Sequence, residues 1–171
     1  MRILAIDPGA TTGWCVYLGD TKRVAARGQF EGFDINAVLP EAAAADAIVV
    51  ESLRKAHANA YPTTVESAYI CGRIVERLEV RGIVVHELLR IDIKRTLTDA
   101  TLGEIRVKND KTAWLALVML HGGVGCDRKP RRKKGVVVDE GGPLGGVTGH
   151  ERAALACAVA WLLRQEAPQP T

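Results

Sequence analysis

The chain has 171 residues, 47% of them apolar, 25% charged and 5% aromatic, with a net charge of +3. That length suits one domain with a continuous buried core, and the composition excludes a disordered or fibrous chain. The N-terminal apolar run is interrupted by Asp7 and carries no small-residue cleavage site, so a cytoplasmic protein with neither signal peptide nor membrane anchor is expected.

In chain order, residues 2–7 read as a strand, Pro8-Gly9 as a turn, "TGWCVYL" (12–18) as a second strand and Gly19-Asp20 as a hairpin turn into a third over 23–30. "INAVLPEAAAAD" (35–46) suits a short helix, and "AIVVES" (47–52) gives a fourth, fully apolar strand. The apolar spacing in 63–81 predicts a long helix, with Thr63 or Thr64 as N-cap and Glu66 in its first turn. "GIVVHEL" (82–88) reads as a short buried strand, and 91–98 and 109–123 as helices, the second begun by Asn109 or Asp110 and ended by Gly122-Gly123. Residues 122–148 hold eight glycines and two prolines and read as a long flexible loop. From His150 the chain returns to helix, and 165–171 should fray. The expected architecture is one α/β domain over 1–171, a mixed sheet flanked by helices.

Cys15, Cys71, Cys126 and Cys157 show no C-x-x-C pairing, which fits reduced thiols in a cytosol. His121 and Cys126 flank a Gly-rich turn, but two ligands do not make a metal site. The loop carries Arg128, Lys129, Arg131, Arg132, Lys133 and Lys134, six cations in seven positions. Such a run repels itself and is relieved by a polyanion, so a phosphate-backbone contact is expected. After Glu51, Arg54 and Lys55 can contact phosphates, and Tyr61 is read either as a ring that stacks on an unpaired base or as a half-buried cap of the following helix.

Asp7 and Glu51 each end an apolar strand. Alone, either would be a solvated strand-end cap; together they suggest a ligand site, because α/β folds gather ligands at the carboxyl ends of parallel strands. Two carboxylates with a third O or N ligand can hold hard divalent cations, Mg2+ or Mn2+, and such cations support in-line displacement at a phosphodiester. No G-x-S-x-G elbow is present, so acyl transfer is weakly supported.

"ILAIDPGATTGW", "IVVES", "IKRTLT…VKNDK" and "GHERAALACAVAWL" resemble, in order and spacing, the RuvC-type Holliday-junction resolvases of the RNase H-like superfamily, especially the phage-borne ones. The resemblance implies an RNase H-like fold, metal-dependent symmetric nicking of four-way and branched DNA, and metal ligation by Asp7, Glu51 and His150. It places Lys94 and Lys111 close to the scissile phosphate. It breaks three residues after His150, where the family's last carboxylate would stand and this chain has Ala153. Glu151 is rotated by about a hundred degrees from His150 on a helix, so it replaces that ligand only if the helix start is irregular. The expectation is a resolvase whose cleavage is impaired or silenced by an Asp-to-Ala exchange, introduced or natural, with a non-cleaving branched-DNA-binding protein as the alternative. "DPGATTG" is also similar to the phosphate loop of sugar-kinase and actin-like ATPases, but those need two related domains. The two-fold symmetry of a four-way junction favours a homodimer.

Overall fold

The computed structural model describes residues 1–53, 62–129, 131–133, 136–139 and 141–167. Its frame is a five-stranded sheet. Strands β1 (Arg2–Asp7), β2 (Thr11–Leu18) and β3 (Arg23–Glu31) form an antiparallel meander. Strands β4 (Ala47–Ser52) and β5 (His86–Leu89) join it in parallel on the other side of β1, giving the order β3-β2-β1-β4-β5. Central strands buried on both faces read as unbroken apolar runs, which is the pattern of "ILAI" and "AIVV".

Helices cover both faces. On one, α2 (Pro62–Glu79) lays Ile70, Cys71, Ile74 and Leu78 at helical intervals against Leu4, Ile6, Ile48 and Val50. Each fully buried aliphatic side chain there contributes about 1.5–3 kcal/mol. On the other, α5 (Gly149–Glu166) lies between the sheet and the pair α3 (Arg90–Ala100) and α4 (Asp110–Leu120). It is buried on nearly every side because its run of Ala154, Ala156, Ala158 and Ala160 lets the sheet and both helices approach closely.

Several elements differ from the sequence reading. The helix expected over 35–46 is a 3-10 turn, Ile35–Ala37, capped by the Asp34 carboxylate, followed by α1 (Leu39–Ala43). Val38 separates the two, and Pro40, which has no N–H to donate, sits in the first turn of α1. Helix α2 begins at Pro62 rather than behind a Thr63 or Thr64 cap, and its first turn carries no acid. The strand expected over 82–88 is confined to β5, because Gly82 (φ 75°) closes the end of α2 and the Ile83 amide donates back to the Leu78 carbonyl. The segment expected to be a loop over 122–148 contains an antiparallel pair, β6 (Arg131–Lys133) and β7 (Val136–Asp139). Its two ends are tied by the Gly142 amide to the Arg128 carbonyl and the Leu144 amide to the Cys126 carbonyl, both at 2.8 Å. Helix α5 runs on to Glu166, two residues into the stretch expected to fray. Among the described residues no helix is long and apolar enough to cross a membrane.

Candidate functional site

Register brings the two strand-end carboxylates together. Ile6 of β1 pairs with Val50 of β4, so Asp7 and Glu51 stand at the next rung of neighbouring parallel strands. Side chains alternate along a strand. Asp7 continues the face of Ile3 and Ala5, and Glu51 that of Ala47 and Val49, which is the face covered by α5. Both are buried, at 6% and 4% exposure.

The turn after Asp7 is fixed by Thr12, fully buried, whose hydroxyl donates to the Gly32 carbonyl at 2.6 Å and accepts the Gly9 amide at 3.3 Å. Gly13 pairs with Asp7 across the β1–β2 ladder. A Cβ at Gly13 would stand 2.3 Å from the His150 carbonyl carbon and 2.6 Å from its Cβ. Glycine is therefore required there for the start of α5 to rest on β2. The result is His150 Nδ1 3.6 Å from Asp7 Oδ2, with the imidazole half exposed.

Arg90, the first residue of α3, joins the pair. Its Nε donates to Glu51 Oε1, and its Nη2 lies 3.7 Å from Asp7 Oδ1. Burial pushes the Asp7 carboxyl up to about 8, the charges of Glu51 and Asp110 push the same way, and Arg90 opposes them. Glu51 is also raised, again by burial first, with the Arg90 charge and hydrogen bond working against it. Burial disfavours the Arg90 charge, but Glu51 and Asp7 outweigh that and hold its proton more firmly than usual. One guanidinium thus compensates two desolvated carboxylates incompletely.

A cleft of about 550 Å³ opens over Asp7, walled by Arg90, Asp110, Lys111, His150, Arg152 and Ala153. A narrow gap beside it is lined by Glu51, Lys94, Asp110 and Ala153. The structure therefore gathers Asp7, Glu51, His150, Ala153, Lys94 and Lys111 at one place. Lys94 donates to the Lys108 carbonyl at 2.9 Å; Lys111 is exposed at the cleft wall.

Glu151 is not brought to this group. The helix start is regular: Glu151 completes a capping box, accepting the Thr148 amide at 2.9 Å, and its carboxylate lies 3.4 Å from Arg27 Nε. It faces β3 instead, and the "TGHE" pattern, Thr followed three residues later by Glu, carried that signal. Arg128 and Lys129 are exposed, and Arg131, Arg132 and Lys133 form β6. Arg54, Lys55, Tyr61 and Lys134 lie outside the described residues. His121 and Cys126 have other partners. The His121 Nδ1–H donates to the Leu117 carbonyl at 2.7 Å, which leaves Nε2 to accept the Tyr17 hydroxyl at 2.8 Å, while Cys126 Sγ faces the Val118 carbonyl. All four cysteines are buried thiols outside any disulfide.

Four site residues were missed by sequence reasoning: Gly13, Arg90, Asp110 and Arg152. Asp110 follows the N-cap Asn109, whose side chain accepts the Thr112 amide, so it reads locally as a first-turn helix acid. Arg152 lies with its guanidinium 4.3 Å over the Trp114 ring and donates to the Val147 carbonyl.

No protein-family model and no curated protein matches the chain. Among solved structures, RuvC of Thermus thermophilus matches at 16% identity and a TM-score of 0.60, over 97% of this chain and 96% of that one. T. thermophilus RuvC in complex with a Holliday junction substrate matches at 15% identity and a TM-score of 0.58, over 97% and 95%. A mixed sheet in the order β3-β2-β1-β4-β5, helices on both faces and near-complete overlap with these structures give this chain the RuvC-type, RNase H-like α/β fold.

Proposed function

We propose that the chain is a metal-dependent nuclease of branched DNA, a Holliday-junction resolvase in type, with weak or silent cleavage. The observation that carries this reading is the placement of Asp7 and Glu51, two buried carboxylates on adjacent parallel strand ends, at the floor of a cleft walled by cations. The two carboxylates offer the oxygen donors of a hard divalent cation, although among the described residues no three His, Cys, Asp or Glu side chains are gathered closely enough to hold one by themselves. Asp7 and Glu51 offer carboxylate oxygens whose burial leaves them short of positive charge, as Mg2+ or Mn2+ sites require. When bound, such a cation supplies an activated water and neutralises charge on the phosphodiester.

The chain's own groups do the rest. His150 stands beside Asp7 on the α5 side, its Nδ1 3.6 Å from Oδ2, as a candidate third ligand. Lys111 and Arg152, both at the cleft wall, would meet phosphate oxygens, and Lys94 lines the gap beside Glu51. Asp110 adds a third carboxylate across the cleft. Ala153 lies on the cleft-facing side of α5 and offers no donor, which favours a second reading of this chain as a protein that binds junctions without cutting them. The similarity to RuvC bound to a junction supports branched DNA as the partner, and the symmetry of a junction supports a two-fold homodimer. Arg128 and Lys129 with strand β6 then meet backbone phosphates rather than bases.

The test is a gel-shift comparison of four-way junction against duplex of the same sequence. Preference for the junction supports the reading; equal affinity for the two contradicts it.

A further inference from the structure

We infer that Arg90 is an internal competitor for the divalent cation: its guanidinium holds the Asp7–Glu51 pair together in the metal-free protein and must leave Glu51 before a cation can take that carboxylate. This rests on the metal-binding reading proposed above. Glu51 and Asp7 are fixed on central strands with side chains only 5% and 8% exposed, so solvent compensates little of their charge. Arg90 reaches both, bonding Glu51 Oε1 through Nε and facing Asp7 Oδ1 at 3.7 Å. A guanidinium has five N–H donors and no lone pair to offer a metal. It cannot join a coordination shell, and it occupies one of the two oxygens that Glu51 has to offer. A guanidinium and a divalent cation at neighbouring positions also repel each other, the more so because the carboxylates between them are buried.

The two occupants differ in freedom to move. Arg90 is 44% exposed, sits at the first residue of α3 behind Leu89, which makes no side-chain cap bond, and already lines the open cleft. Swinging it outward disturbs no packed core. Lys94 does not take its place, because its ammonium is held on the Lys108 carbonyl.

The experiment titrates Mn2+ into the full chain and into Arg90→Gln and Arg90→Lys variants without DNA, by calorimetry, with thermal melting in parallel. Arg90→Gln removes the charge and should bind Mn2+ about ten-fold more tightly, the range of an ordinary coupling between two ligands. Its metal-free Tm should fall below that of the parent, and saturating Mn2+ should close the gap, since binding to the folded state stabilises it. Arg90→Lys keeps the charge but not the planar fork and should bind Mn2+ with intermediate affinity. Mn2+ affinity in Arg90→Gln equal to or weaker than the parent's overturns the inference. Should Arg90→Gln not fold without metal, the lysine variant decides, and an affinity no tighter than the parent's overturns it equally. Absence of Mn2+ binding to the parent and to both variants overturns the metal-binding reading itself.

Discussion

Along β1 and β4, the residues of one face, Leu4, Ile6, Ile48 and Val50, meet α2 as hydrocarbon to the strand ends, whereas those of the other face run from Ile3, Ala5, Ala47 and Val49 into Asp7 and Glu51. The same strands and the same hydrogen-bond ladder therefore serve two purposes. The α2 face contributes burial alone. The α5 face carries the proposed site, because helix α5 begins where β1 and β4 end and brings His150, Arg152 and Ala153 to the cleft over Asp7. Position on the ladder decides which face a carboxylate joins: a one-residue slip of β4 would turn Glu51 toward α2 and bury it without partners.

This contrast breaks most sharply with one substitution on each face. Glu51→Gln should lower Mn2+ affinity at least a hundred-fold, about 2.7 kcal/mol, and remove metal-dependent nicking, while thermal unfolding shifts little. Ile74→Ala, under the α2 face and fully buried, should cost about 2–5 kcal/mol of stability in urea unfolding and leave Mn2+ affinity of the folded protein unchanged. If Ile74→Ala weakened metal binding as much as Glu51→Gln, the two faces would not be separable.

Gly13→Ala tests the joint between β2 and α5. Because the new Cβ meets backbone atoms of His150 rather than a flexible side-chain tip, the helix start must shift. A loss of about 1–3 kcal/mol is expected from overpacking, together with weaker Mn2+ binding, measured by melting and calorimetry on one preparation. Unchanged metal affinity would mean that His150 takes no part in the site.

The pH dependence of the metal-free protein gives a smaller effect of defined sign. Folding raises the Asp7 carboxyl from 3.8 to about 8, so between those values the folded state retains a proton that the unfolded state has released. Stability is then fullest below about pH 4 for this group and falls as pH rises through 8. Asp7→Asn should flatten that slope in urea titrations at several pH values, and so should saturating Mn2+. A slope that survives Asp7→Asn would assign it to another group.

What could be read from the sequence depended on whether the signal was local. Asp7 and Glu51 stood out because a carboxylate ends each of two apolar runs, and His150 because it opens the last apolar helix. Arg90 looked like an ordinary helix-start cation, since its partner Glu51 is 39 residues away and the pairing exists only once β4 and β5 are side by side. Asp110 was hidden by its role beside an N-cap. Gly13 was quoted in the first motif, yet its purpose is the close approach of a helix that begins 136 positions later, which no local pattern reports. The β6–β7 pair was masked by glycines and lysines, although "VVVD" carried the β-branched run that a strand needs. Glu151 is the reverse case: its spacing of three residues from Thr148 marks a capping box, and the fold uses it as one rather than as a ligand.

On the proposed reading, the site that binds a junction lacks one donor at Ala153. Ala153 lines the cleft beside Asp110 and His150, one helical turn from the residue that meets Asp7. The most direct measurement compares Mg2+- or Mn2+-dependent nicking of a four-way junction by the chain as it stands and by Ala153→Asp, at matched junction occupancy. Ala153→Asp should nick symmetrically at a rate at least a hundred-fold above that of the parent, with similar junction affinity. Equal rates for the two proteins would contradict it and assign the missing donor to a group already present.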